Sequence, residues 1–303
     1  QARVPGAEVE PAQVAPPMLA LQVLINGILL GGLYGLMALG MSLIWGVMNI
    51  VNIAHGALIM LGAYVTYWLF TLWGLDPFIS LPATIVLLFV YGYCLQRYLL
   101  NLIVRAQLFL TLLITFGVEV VMVNLVRIAW SSDLRQVTPT YAGANFAIGG
   151  VTVPYVRLWV FVTTVILSVG FLLILEKTRL GRAIRATSEE LRAARLTGIP
   201  VAHIYAVTFG LGAALAGAAG GLWGMLFPIT PIMGGGLTLK SFVVAVLGGL
   251  GTMMGALVGG LVLGLAESFT ATYLGPTYPN AISFGLLVLI LIVRPTGLVG
   301  RRA

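Results

Sequence analysis

Charge is what this sequence has least of. Asp, Glu, Lys and Arg together make up 8% of its 303 residues, against about 25% in an ordinary soluble domain. So few ionised groups cannot cover a surface with solvated side chains, and the 60% hydrophobic content points to a bilayer as the solvent. Cysteine is almost missing as well. Cys94 stands alone, which excludes an intrachain disulfide framework and a thiolate metal cage and leaves it as a small packing residue. The two histidines, His55 and His203, are far apart, and neither H-E-x-x-H nor G-x-S-x-G occurs, so no catalytic, metal or cofactor-binding residue is expected. Lysine is limited to Lys177 and Lys240. Neither follows the glycine of a G-x-x-x-x-G-K-[ST] phosphate loop, so any ATP and its Mg²⁺ must sit on another chain.

What is present is a succession of long apolar runs. No charged residue lies between Glu10 and Asp76, room for two membrane helices at about 20 residues each, expected over 20–46 and 53–73. Further runs lie at 79–96, 107–126, 158–175, 203–227, 236–249, 252–271 and 280–293. The fold class expected is all-α: a polytopic membrane helix bundle of eight to ten spans with Gly-broken or re-entrant segments, the glycines at 248–251 marking one break. Residues 1–19, rich in proline, read as an exposed arm, and 20–303 as the membrane domain. The chain opens on Gln1 rather than methionine, which reads as processing or trimming. Small residues recur every four positions at Gly27, Gly31 and Gly35, at Gly212, Ala216, Gly220 and Gly224, and at Gly251, Gly255 and Gly259. Such stripes let helix backbones approach closely in lipid, where no hydrophobic force drives association.

The net charge of +7 raises the possibility of nucleic acid, but that reading needs basic residues clustered on a solvated surface. Eleven of the sixteen basic residues instead fall in three segments between runs: Arg97 and Arg105; Lys177, Arg179, Arg182, Arg185, Arg192 and Arg195; and Arg294, Arg301 and Arg302. Alternation of spans puts the three on one side, which the positive-inside rule makes cytoplasmic, together with the C-terminus. The opposite side then carries Asp76 and the polar stretch from Ser131 to Tyr155, with Asp133 and Arg135 as candidate contacts.

The segment EKTRLGRAIRATSEELRAARLTGIP, residues 176–200, holds more than topology. Thr187 as N-cap with Glu190 at N3 would form a capping box, Leu191, Ala193, Ala194 and Leu196 a narrow apolar face, and Gly198 followed by Pro200 a defined end. The spacing predicts a short helix over 187–198 able to dock in a groove of another protein. Its pattern Glu190-x-x-Ala193-Ala194-x-x-x-Gly198-Ile199 resembles the coupling segment of ABC importer permeases. The run from Ile25 to Tyr64, GRAIRATSEELRAARLTGI, and LTLKSFVVAVLGGLGTMMGALVGGLVLG are similar to the opening, middle and end of the branched-chain amino acid permeases of LivH type. That resemblance implies a transport subunit in a bacterial inner membrane. It would be completed by a second permease, two ATP-binding subunits and a periplasmic binding protein, with Arg182, Arg185, Thr187, Glu190, Ala193, Ala194, Gly198 and Ile199 at the ATPase contact. Urea and short-amide permeases share these motifs. A self-sufficient secondary transporter is the reading from another class.

Inside the apolar runs a few polar residues stand out. Asn49, Asn52 and His55 lie three apart where the first run turns into the second. On one helix they would share a face, lining a substrate path or bonding between helices to fix the joint. Glu119 lies in mid-run, a costly place for a carboxylate unless it is protonated, paired or facing water. Structural contact, cavity wall, subunit contact and proton coupling are all open to it, and Arg127 lies two turns away. Glu267 reads as a less surprising residue near a span end.

Overall fold

The structure, a computed structural model, describes residues 16–102, 108–148 and 151–300. Arg105, Arg301, Arg302 and residues 1–15 of the expected arm lie outside the described residues. Eleven α-helices and one β-hairpin occur among those described: α1 Pro16–Met48, α2 His55–Trp73, α3 Pro77–Tyr98, α4 Leu108–Trp130, β1 Asn145–Ile148, β2 Val151–Pro154, α5 Tyr155–Lys177, α6 Arg179–Glu189, α7 Leu191–Leu196, α8 Val201–Leu226, α9 Met233–Gly248, α10 Met253–Tyr273 and α11 Pro279–Val293. Every apolar run is a helix, and seven are long and apolar enough to cross a membrane. α9 and α11, with 16 and 15 residues, reach only about 24 Å, short of a ~30 Å hydrocarbon layer. The first helix starts at Pro16, inside the stretch read as an arm. The hairpin, with Phe146 opposite Val153, lies in the stretch read only as polar.

α1 is helical despite Gly27, Gly31, Gly32, Gly35, Gly40 and Gly46, each of which would cost about 1 kcal/mol relative to alanine in water. In a bilayer the alternative is an unsatisfied backbone, which costs several kcal/mol per group, so the backbone stays helical and glycine becomes a packing surface. A Cβ placed on Gly31 would lie 2.7 Å from Leu261 Cα, and one on Gly27 would lie 2.8 Å from Leu265 Cα, so α1 and α10 run antiparallel in backbone contact. The second expected stripe is divided among partners. Gly212 meets Ile44 of α1, Gly220 meets Ile59 of α2, and Gly224 meets Ile229. α1 and α8 are the most buried helices, while α3, α4 and α5 each present an apolar side outward.

Packing sorts the connections into two ends. The ends of α1, α3 and α5, the pair α6–α7, the start of α8, the α9–α10 turn and the segment after α11 lie together. The described basic residues Arg97, Lys177, Arg179, Arg182, Arg185, Arg192, Arg195 and Arg294 all belong to this end. The α9–α10 turn uses Gly249 (φ 108°) and Gly251 (φ 79°). It is held by the chain beyond α11, where the Leu298 N–H donates to Leu247 O at 2.8 Å and the Val299 N–H to Gly248 O at 3.1 Å.

The glycine contacts carry a test. Gly62→Leu places a side chain against the α8 backbone at Gly217, and overpacking there costs about 1–3 kcal/mol. Gly170→Leu, which meets nothing within 4 Å, leaves stability unchanged or raised. Thermal unfolding of the detergent-purified protein, followed by tryptophan fluorescence, distinguishes the two.

Candidate functional site

Asn49, Asn52 and His55 do not share a helix. α1 stops at Met48, Asn49 takes a left-handed conformation (φ 54°), residues 50–54 are irregular, and α2 begins at His55. The irregular segment climbs back into the bundle. His55 Nε2 lies 2.9 Å from Met37 O, about 16 Å up α1 from its end at 1.5 Å per residue. The re-entrant element is therefore here as well as in the short α9 that the glycines at 248–251 pointed to. Irregular backbone at this depth needs internal partners, and two threonines supply them. Thr238 of α9 donates to Ile53 O at 3.0 Å and accepts the Gly56 N–H at 2.8 Å. Thr115 of α4 accepts the Ile53 N–H at 3.3 Å. Asn52 is 1% exposed, and among the described residues both ends of its amide and His55 Nδ1 are unpartnered. Asn49 is exposed and lines a cleft of about 810 Å³ at the basic end, with Arg97, Asn101, Leu191, Arg195 and His203.

The charged segment forms two helices rather than one. Thr187 is buried in α6 and its hydroxyl donates to Ala183 O at 2.8 Å, so it caps nothing and the capping box does not form. Glu190 is itself the N-cap of α7, extended (φ −148°) and accepting the Arg192 N–H at 3.1 Å. Thr178, two residues after Glu176, caps α6 by accepting the Gly181 N–H at 3.0 Å. Gly198 does take the left-handed turn that ends α7 (φ 81°). The narrow apolar face splits: Ala194 is 3% exposed and packs inward, whereas Ala193 is exposed and Leu196 is 88% exposed. Arg182, Arg185 and Glu190 are exposed and Ile199 half-buried. Arg185 also donates to Leu175 O at 2.6 Å, tying α6 to the end of α5.

Glu119 is half-buried and makes no hydrogen bond among the described residues, Arg127 included. Its Oε1 lies near Gly235 in the first turn of α9, where the positive end of the helix dipole favours a carboxylate. It lines a small cavity with Asn124 and Ile232. At the end opposite the basic one, Asp76 caps α3 by accepting the Phe78 N–H at 2.9 Å and accepts the Tyr141 hydroxyl at 2.7 Å. Burial and that bond to a carboxylate push the Tyr141 phenol above its usual range. Arg135 sits 4.9 Å from the Trp68 ring and donates to Trp130 O, leaving Asp133 and Leu134 exposed.

Glu267 lies under two turns from the end of α10 but is not solvated there. It is buried inside the bundle, where Lys240 Nζ lies 2.8 Å from Oε1 and 2.9 Å from Oε2, the Tyr34 hydroxyl donates to Oε2 at 2.5 Å, and Ser283 donates to Oε1 at 2.6 Å. Four helices, α1, α9, α10 and α11, are thereby joined at one carboxylate.

The comparisons with known proteins agree with this architecture. The family model for the permease component of the branched-chain amino acid transport system matches residues 23–292. The chain belongs to this family. The permease is 36% identical to the high-affinity branched-chain amino acid transport system permease protein BraD of Pseudomonas aeruginosa, over 93% of this chain and 96% of the relative. It is 32% identical to the corresponding LivH protein of Escherichia coli K12, again over 93% and 96%. A probable LivH protein of Methanocaldococcus jannaschii is 30% identical over 92% of each. No solved structure matches. Its helices and its family make the permease a multi-pass membrane protein.

Sequence reasoning missed the Lys240–Glu267 pair and the two threonines at the joint. The signal for the pair was present as opposite charges alone in two consecutive apolar runs, since isolated charges in a bilayer demand each other. Thr115 and Thr238 carry no such signal, because threonine bonded to its own helix is common. Lys240→Met leaves the buried Glu267 charge without its cation and should cost about 3–5 kcal/mol. The double change Lys240→Met with Glu267→Gln should recover most of that, as read by folded yield and thermal unfolding.

Proposed function

We propose that the permease is the membrane subunit of an ATP-driven importer that moves branched-chain amino acids across a bacterial cytoplasmic membrane. The branched-chain amino acid transport of its relatives supports the substrate class. The observation that carries the coupling is the exposed end of α7, where Ala193 and Leu196 stand free of the bundle beside Arg192 and Arg195. An apolar tip ringed by cations suits insertion into a cleft on a partner subunit, and ATP with its Mg²⁺ would bind there. A second permease, two ATP-binding subunits and a periplasmic binding protein complete the assembly. The basic end and the C-terminus face the cytoplasm, as the positive-inside rule requires. Asp133 and Leu134, exposed at the other end, meet the binding protein.

Movement of α7 has a direct route into the bundle. Leu191 and Arg195 share the 810 Å³ cleft with Met48, Asn49 and Val201, so a push there reaches the end of α1 and the start of α8. α6 passes it to α5 through the Arg185–Leu175 bond. Asn49 lies in that cleft, and Asn52 and His55 continue upward with unpartnered polar atoms, the chemistry of a path that hydrated or polar cargo can follow. Glu119 lies beside the same joint, across Thr115 of its own helix. Reorientation between outward-open and inward-open states then moves the joint. No chemical step falls on this chain. ATP hydrolysis is the partner's.

Leu196→Arg should lower both ATPase co-elution and leucine uptake by about tenfold or more, equivalent to some 1.4 kcal/mol of lost contact, with membrane insertion intact. Ala194→Trp should instead lower folded yield, because Ala194 is buried. Vesicles that import leucine with no ATPase subunit present would overturn the ATP-driven reading.

A further inference from the structure

A cavity of about 330 Å³ opens at the end away from the basic segments, between α1, α5, α8 and α10, within the size range of small-molecule sites. Its charge is one-sided. Arg157, in the first turn of α5, lines it and donates to Asn26 Oδ1 at 3.0 Å. Among the described residues no carboxylate pairs with this guanidinium, which has five N–H donors and cannot lose its charge. Trp223 contributes an aromatic wall to the same cavity and stacks on Phe227, ring centroids 4.1 Å apart. Lys240 and Glu267 neutralise each other in the floor. The Glu267 oxygens already receive Lys240, Tyr34 and Ser283, which leaves them little capacity for more. The cavity thus carries a net charge of one cation, with the Ser268 and Thr272 hydroxyls, which donate to Val23 O and Ser268 O, on its α10 side and apolar wall at Leu30 and Phe227.

We infer that this cavity is a binding site within the permease for an apolar amino acid, whose α-carboxylate is held by Arg157 and whose side chain lies against Leu30, Trp223 and Phe227. An anion is what a half-buried guanidinium with no carboxylate partner among the described residues favours, and Arg–carboxylate bonds are among the stronger charge-assisted contacts. The inference rests on the proposed function for its substrate class. A monoanionic lipid headgroup with its acyl chain shares the same chemistry, and the test separates the two.

The permease complex with its ATPase subunits is placed in nanodiscs of phosphatidylcholine, without binding protein, and equilibrium binding of tritiated L-leucine is measured. Leucinamide, which lacks the carboxylate, should compete about tenfold or more weakly, the scale of one charge-assisted interaction. Arg157→Gln should lower leucine affinity by about tenfold and abolish the preference over leucinamide. Leu30→Ala, which removes part of the apolar wall, should lower leucine affinity several-fold, and covers the case in which Arg157→Gln fails to assemble. Leucine binding unchanged by these substitutions in assembled complexes overturns the site. So does a wild-type complex that retains phosphatidylglycerol in an Arg157-dependent way while binding leucine independently of Arg157. A wild-type complex that imports leucine with ATP but lacks Arg157-dependent binding removes this site alone. One that imports no branched-chain amino acid removes the proposed function and this site with it.

Discussion

The structure depends on a single constraint: backbone amides and carbonyls in a bilayer must find partners within the protein. Helices meet it for most of the chain, and the break between α1 and α2 is where it has to be met otherwise. Thr238 and Thr115, from helices distant in sequence, serve the backbone of Ile53 and Gly56. They therefore bind α9 and α4 to a segment that has no regular structure of its own. This joint lets α2 start in mid-bundle. The starts of α2 and α9 then meet there, with Gly56 and Gly234 in backbone contact, and the buried amide of Asn52 is left unpartnered beside them.

Electrostatics divides the molecule in a corresponding way. At one end the cations are numerous, solvated and free to meet another chain. Elsewhere they are fewer, and three that are half-buried each have their own answer to desolvation. Lys240 is neutralised by Glu267, while Arg135 is spread over the aromatic rings of Tyr67 and Trp68 and bonded to Trp130 O. Arg157 has only the Asn26 amide. The contrast matters because a buried ion pair is self-contained, whereas a cation held by a neutral amide retains most of its attraction for an incoming anion.

Local properties were the legible part. Each apolar run from residue 20 onward is a helix, Gly198 ends α7 by the left-handed turn expected of it, and the described basic residues of three separate segments share one end. What needed the fold was any choice between equally good local partners. Thr187 and Glu190 have the spacing of a capping box, yet α6 starts earlier, at the Thr178 cap, and its continuation through Thr187 turns that hydroxyl back to Ala183. The glycines of α8 have the spacing of one contact stripe and serve α1, α2 and the Ile229 segment instead, because α8 is surrounded. The position of Glu267 in its run gave no sign that Tyr34, Lys240 and Ser283 converge on it, since that convergence is a product of packing among four helices.

The irregular segment after α11 bears on how the protein is made. A helix leaves its last carbonyls without partners, and for α9 the N–H groups of Leu298 and Val299 reach Leu247 and Gly248. The ribosome produces those donors only after both α10 and α11 have been synthesised. During biogenesis the α9–α10 turn must therefore rely on water or the insertion machinery, and the last described residues act as a latch that closes two helices already in the membrane.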